Sequence, residues 1–149
     1  MVFQGATALS LDPKGRLAIP ARYRDTLVSD SSGQLVLTVH PHRCLLLYPA
    51  LAWEPIRTKV LAASSFDDRS AAYQRMLVGY ACDESLDSAG RLLIPLRLRE
   101  RAQFEKQVWL IGQGSHFEIW SDAGWQEQEE KFLGLCDQPL PPGLEDLAL

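Results

Sequence analysis

Apolar and polar positions along the chain form a pattern that runs twice. Gln34 to Tyr48 reads QLVLTVHPHRCLLLY, two apolar runs around a His-Pro-His-Arg turn. Short apolar runs flanking such a turn predict a β-hairpin. Gln107 to Trp120, QVWLIGQGSHFEIW, has the same shape around Gly-Gln-Gly-Ser. Five residues after each closing aromatic comes a tryptophan: Trp53 after Tyr48, and Trp125 after Trp120. Each tryptophan sits in a helix-like segment, Pro49 to Ala63 in the first half and about Asp122 to Leu133 in the second. Pro55 must lie in the first turns of its helix or bend it. Between the halves, Ser65-Phe-Asp-Asp68 has the form of a capping box. It introduces a helix with Tyr73, Met76, Leu77 and Tyr80 at i, i+3, i+4 and i+7, a stripe that reads as core contact.

A second pattern is stronger. Ser10 to Arg24 reads SLDPKGRLAIPARYR, and Ser85 to Arg99 reads SLDSAGRLLIPLRLR. A repeat at this level implies two similar half-domains. Pro20 and Pro95 cannot donate to a strand ladder and suit the first turn of a helix. The residue before a proline prefers extended backbone. Ile19 and Ile94 therefore end strands, and short helices begin over Ala21 to Leu27 and Leu96 to Gln103. Gly15 and Gly90 supply a positive φ for the turn, and Asp12 and Asp87 cap it. Each unit is then strand, Gly-Arg turn, strand, short helix, hairpin and helix. The expected divisions are 3–59 for the first repeat, 60–80 for a helical connector, 81–130 for the second repeat and 131–149 for a Pro-rich mobile tail.

Composition narrows the class. A chain of 149 residues can bury its own core. No apolar run approaches the roughly 20 residues that span a bilayer, and the start carries no secretory pattern. Cys44, Cys82 and Cys136 are odd in number and lack Cys-x-x-Cys spacing, which fits free thiols in a reducing cytosol. The net charge of −4 is unevenly spread, with +3 up to Arg75 and −7 beyond it. Local potential, not net charge, steers a polyanion to a surface.

No catalytic constellation emerges. His40, His42 and Cys44 alternate and can share a face, but the proline between the histidines favours a turn over a metal site. Asp12 and Asp87 belong to separate copies of one turn, so capping explains them better than paired acid–base chemistry. The cations are more informative. Lys14 and Arg16 sit at the first turn, with Arg22 and Arg24 on the helix behind it. A guanidinium can grip phosphate or guanine through two parallel N–H bonds. The second copy keeps Arg91, Arg97 and Arg99 but has Ser88-Ala89 in place of Pro13-Lys14. Solvated faces and salt bridges with Asp25 or Glu100 are the competing account of Arg22, Arg24, Arg97 and Arg99.

These residues resemble the MraZ family of bacterial transcriptional regulators. FQGATALSLDPKGRLAIPARYR, SLDSAGRLLIPLRLR, CLLLYPALAWEPI, RMLVGYACDESLD and VWLIGQGSHFEIW carry the likeness from Phe3 to about Glu130. Asp12-x-x-x-Arg16 and Asp87-x-x-x-Arg91 match the family's paired signature; Val2 and Pro55 depart from its pattern. The resemblance implies an α+β fold of two tandem swapped-hairpin, AbrB-like half-domains. These would form a pseudo-two-fold, β-barrel-like core with flanking helices. It implies a repressor of the division and cell-wall gene cluster, cytoplasmic and nucleoid-associated, that binds direct repeats of double-stranded DNA upstream of its own promoter. It also implies ring-shaped homo-oligomers. On the matching positions Arg16 would be the leading DNA contact with Lys14 beside it, and Arg91 holds the same place in the second signature; Arg22 and Arg24 join the DNA-binding candidates from the reading of the residues above, and Asp12, Gly15, Asp87 and Gly90 shape the turns. No cofactor, metal, membrane or small-molecule substrate is expected, and no enzymatic activity. A ring-forming module whose main ligand is another protein is the alternative.

Overall fold

The computed structural model describes residues 2–149. Fourteen elements follow one another, and the first half runs β1 (Ala6–Ser10), β2 (Arg16–Ala18), α1 (Ala21–Ser31), β3 (Gln34–Val39), β4 (Leu45–Pro49) and α2 (Ala50–Ala62). The connector is α3 (Asp68–Tyr73), continued by a single π-helical turn over Gln74–Val78. The second half repeats the order with β5 (Cys82–Ser85), β6 (Arg91–Leu93), α4 (Leu96–Arg101), β7 (Gln107–Gly112), β8 (Phe117–Ser121) and α5 (Asp122–Leu135).

Six strands form one antiparallel sheet in the order β1-β7-β8-β4-β3-β5. Exchanging each strand for its counterpart in the other half reverses this order and leaves it unchanged. The pseudo-two-fold axis therefore passes between β4 and β8, where Leu46 faces Glu118. Each half lends its first strand to the other: β1 pairs with β7, and β5 pairs with β3. The remaining strands, β2 and β6, pair with each other as a two-stranded ribbon, and an isolated bridge joins Leu17 to Leu11. The barrel-like expectation is corrected by this topology. The sheet is open, with β1 and β5 at its edges, because β2 and β6 leave it to form the ribbon.

The hairpin strands read as near-continuous apolar runs because both faces of the sheet are covered. Leu35, Leu37, Leu45, Leu47, Phe117 and Ile119 join the main core with Leu17, Ile19, Leu92 and Ile94. Val36, Leu46 and Tyr48 face the other way, against Trp53 of α2 and Leu77 of the π turn. Trp120, Ile111 and Cys44 form a third cluster beneath Trp125. Leu17 and Leu92 are register partners and fully buried. Each contributes on the order of 1.5–3 kcal/mol by burial, and together they pin the ribbon to the sheet.

Several element ends differ from the sequence expectation. The cap of α3 is Asp67, whose carboxylate accepts from the N–H groups of Arg69 and Ser70, not Ser65. The Tyr73–Tyr80 stripe is interrupted by the π turn, which changes the period. Met76 and Tyr80 pack on the main core and Leu77 on the second cluster, whereas Tyr73 stays exposed. Thr38, fully buried in β3, donates its hydroxyl hydrogen to the Leu77 carbonyl at 2.6 Å and holds that turn. Pro55 lies inside α2, where it cannot donate to the Leu51 carbonyl. The helix α1 continues to Ser31, whereas α4 stops at Arg101 and Gln103 takes φ 57°. α5 runs to Leu135, past the expected end at Leu133. Among the described residues no helix is long and apolar enough to cross a membrane.

Candidate nucleic-acid interface

Each repeat folds into the same closed loop. The Asp12 Oδ1 accepts the backbone N–H of Lys14 at 3.0 Å and of Arg16 at 2.8 Å, while Oδ2 accepts Arg16 Nε–H at 2.5 Å. Asp87 does the same for Ala89 and Arg91, at 2.9, 2.9 and 2.8 Å. The backbone closes both turns, with Gly15 N–H donating to Asp12 O and Gly90 N–H to Asp87 O, each at 2.9 Å. Both carboxyls are held below their ordinary value, foremost by the backbone N–H of the loop arginine. The aspartates are thus ionised anchors of the loop.

Those contacts hold each loop arginine by Nε. Among the described residues no hydrogen bond engages the two amino nitrogens of Arg16 or Arg91. A guanidinium oriented through one edge is prepared for a bidentate contact at the other. The ribbon register places Arg16 opposite Leu93 and Arg91 opposite Ala18. Because successive side chains alternate, Leu17 and Leu92 point to the core. Arg16, Ala18, Arg91 and Leu93 share the outer face. Two arginines, one from each half, stand diagonally on a narrow antiparallel ribbon.

The loops also brace each other. Ile19 N–H donates to Gly90 O and Ile94 N–H to Gly15 O, both at 3.0 Å. Arg24 donates Nε–H to Ile19 O at 2.6 Å and lies across Gly90; Arg99 donates to Ile94 O at 2.9 Å and lies across Gly15. Gly15 and Gly90 have φ of 84° and 75°. A Cβ on Gly15 would come within 2.5 Å of Arg99 Cζ, and one on Gly90 would strike Arg24 Nε. The two glycines are therefore required twice, for backbone sign and for an arginine arriving from the other half.

The crossing is the same at both loops, but the charges around them differ. Beside the first stand Lys14 and Arg16 together with Arg99 and Lys106 from the second half, against Asp12 and Glu105. The second loop has Arg91 and the crossing Arg24 against Asp87.

The MraZ family model, described as "MraZ protein, putative antitoxin-like", matches residues 2–76 and again 77–136. The chain belongs to the MraZ family. It is 62% identical over 148 residues to the "Transcriptional regulator MraZ" of Aromatoleum aromaticum, covering 99% of this chain and 100% of that one. The protein of the same name in Azoarcus sp. is 60% identical, and that of Nitrosomonas europaea 45%, each with the same coverage.

The other candidate residues of this MraZ-family chain sort by position. Arg22 donates to Thr7 Oγ1 at 2.6 Å and stacks its guanidinium 4.7 Å from the Tyr23 ring centroid, beside β1. It is exposed there, apart from the ribbon contacts that engage Arg24. His40 and His42 meet edge to face at 4.8 Å in the β3–β4 turn, while His116 stacks on Tyr48 at 4.5 Å. Burial lowers the pKa of His40 and His116 and raises that of the Cys44 thiol. Among the described residues no group of three or more His, Cys, Asp or Glu side chains is placed to hold a metal ion. Sequence reasoning left Lys106, Arg43 and Arg101 out of the candidate set. No motif marks them; Lys106 reaches the first loop through the exchange of strands, Arg43 reaches α4 through the hairpin turn, and Arg101 lies one helical turn after Arg97.

Proposed function

We propose that this chain is a sequence-specific DNA-binding transcriptional regulator, a repressor of the division and cell-wall gene cluster that reads direct repeats upstream of its own promoter. The observation that carries the reading is the β2–β6 ribbon, which presents Arg16 and Arg91 on one exposed face with their amino nitrogens uncommitted. A two-stranded ribbon of this width fits the major groove of B-DNA, where arginine reads guanine O6 and N7. Arg16 leads, because Lys14 and Lys106 add positive potential around the first loop beyond the crossing arginine that each loop has. Arg91 follows. Arg24 serves the interface by holding the second loop, and Arg22 offers a phosphate contact from α1. The printed names of the relatives support regulation over catalysis. The exchanged strand partners support a swapped-hairpin, AbrB-like description of the halves.

The reading includes a ring-shaped homo-oligomer in the cytoplasm, associated with the nucleoid. One subunit offers a small cationic face on an acidic chain. Several such faces linked in one assembly, each on one copy of a repeat, gain avidity. Affinity then falls steeply with salt and needs at least two repeats. Arg16→Ala is expected to abolish specific binding to the chain's own upstream DNA in a gel-shift assay, with an unchanged circular dichroism spectrum. Retained promoter binding by that variant overturns the reading.

A further inference from the structure

Away from the ribbon, the tip of the β3–β4 hairpin leans over the π turn and the end of α4. Val39, Met76 and Leu77 line an apolar cavity of about 260 Å³ there, with Tyr73 and Arg101 among its walls. Pro41 and Arg101 are shared with an adjoining polar notch that adds Arg43 and Arg97, and Glu100 is the acid within it. Three arginines from two elements thus border an apolar groove. The backbone that shapes its wall is a π turn, a feature common at functional sites. Arg43, at the hairpin tip, has φ 68°. The notch also includes Tyr80, seven residues before Asp87 and separated from it by the extended strand β5. Arg97 and Arg101 of the notch share α4 with Arg99, which lies across Gly15.

The chain carries a segment of matching chemistry. Leu144-Glu145-Asp146-Leu147-Ala148-Leu149 sets two acids between leucines, and it is exposed throughout. A turn closed by Leu147 N–H to Leu144 O at 3.0 Å brings the two leucines together. The α5 helix that leads to it packs on β7 and β8, not on the elements of the groove.

We propose that this groove receives the 144–149 segment of a second copy of the chain, leucines in the apolar cavity and Glu145 and Asp146 against Arg43, Arg97 and Arg101. The contact is heterologous, since a donor segment and an acceptor groove are different surfaces. Such contacts propagate from copy to copy and close into rings when the rotation allows. The proposal rests on the self-association part of the functional reading and is independent of the DNA-recognition part.

The probe is a fluorescein-labelled peptide of residues 138–149, titrated by anisotropy against the chain lacking 144–149. Sedimentation velocity of that chain and of the full chain runs in parallel. Saturable peptide binding is expected, weakened about tenfold or more by the double variant Arg97→Glu, Arg101→Glu and by added salt. The deletion is expected to shift the chain to smaller species. Mixing the Arg97→Glu, Arg101→Glu chain with a Glu145→Lys, Asp146→Lys chain is expected to restore larger species. No saturable binding, or binding indifferent to charge reversal, overturns the proposal. Binding with no change of size on deletion overturns the assignment to a second copy. Charge reversal that weakens duplex DNA and not the peptide gives the notch to DNA and overturns it as well. An assembled full chain that ignores the peptide leaves self-association standing, whereas a monomeric full chain removes both.

Discussion

The two Gly-Arg loops share one hydrogen-bond scheme and differ in almost everything around it. Asp12 and Asp87 each collect two backbone N–H groups and one arginine Nε. Arg99 and Arg24 then cross to cover Gly15 and Gly90 in the same way. Yet the first loop adds Lys14 and Lys106 to its crossing arginine, while the second has Ser88 and Ala89 beside its own. The loop frame is therefore tied to the symmetry of the fold, because each loop is part of the other's support. The side chains at Lys14, Ser88 and Ala89 make no hydrogen bond among the described residues and are free to diverge. Shared residues report architecture here, and unshared ones report what each half does with it.

The strongest way to break this comparison is to attack the shared frame. Leu17 and Leu92 face each other across the ribbon, both fully buried. Leu17→Ala and Leu92→Ala are each expected to cost about 2–5 kcal/mol in chemical denaturation. The double mutant should be non-additive, because the pair shares one space. Costs differing by more than about twofold would show that the symmetry is only topological. Gly15→Ala and Gly90→Ala come next. Left-handed backbone alone costs a non-glycine residue about 1–2 kcal/mol, and the arriving arginine must also shift. Thermal melts should show similar losses at the two positions. Arg99→Ala is expected to relieve part of the Gly15→Ala penalty and none of the Gly90→Ala penalty.

Much of this frame was legible in the chain. The repeat announced two halves, and the prolines after Ile19 and Ile94 placed the strand ends. The paired apolar runs announced hairpins. What could not be read was partnership. Nothing local in Gly-Arg-Leu-x-Ile-Pro or Asp-x-x-x-Arg says that β2 must pair with β6 or that β1 must join β7. Those pairings depend on which half each strand enters, and they turned an expected barrel-like core into an open sheet with a ribbon beside it. The same blindness hid the reach of Arg99 and Lys106 to the first loop. From the chain alone Arg24 stood between a DNA contact and a salt bridge with Asp25, because it is a cation just behind the turn. In the fold it lies across Gly90 and donates to Ile19. The π turn was missed for a related reason, since Thr38 lies far along the chain from the Leu77 carbonyl it holds.

A smaller effect sharpens the difference between the loops. Exchanging Pro13-Lys14 with Ser88-Ala89 moves one positive charge from the first loop to the second and leaves both hydrogen-bond schemes in place. If the first loop leads in DNA contact, the exchange weakens promoter affinity and lowers the salt slope by about 1, as loss of one phosphate contact does. If the loops contribute equally, affinity and slope stay where they were. Binding titrations over a range of salt separate the outcomes.

The smallest effects come with pH, and they fall in two windows. Burial lowers the pKa of His40 and His116 from 6.5, with Glu118 and the neighbouring histidines as secondary influences. The unfolded chain therefore takes up those protons first, so stability declines as pH falls below 6.5. Asp12 and Asp87 have lowered values in the folded chain, against 3.8 ordinarily. Their contribution is complete above 3.8 and is lost as pH falls through the folded values. Between those windows the hairpin turns weaken while the loops hold. Side-chain carboxyl and imidazole titrations by NMR, read beside the backbone amides of Gly15 and Gly90, follow both. The two amides are expected to hold steady above pH 3.8 and then shift together, because the two aspartates accept the same set of hydrogen bonds. A midpoint at or above 3.8 for one aspartate alone would show that its loop lacks the anchoring its twin retains.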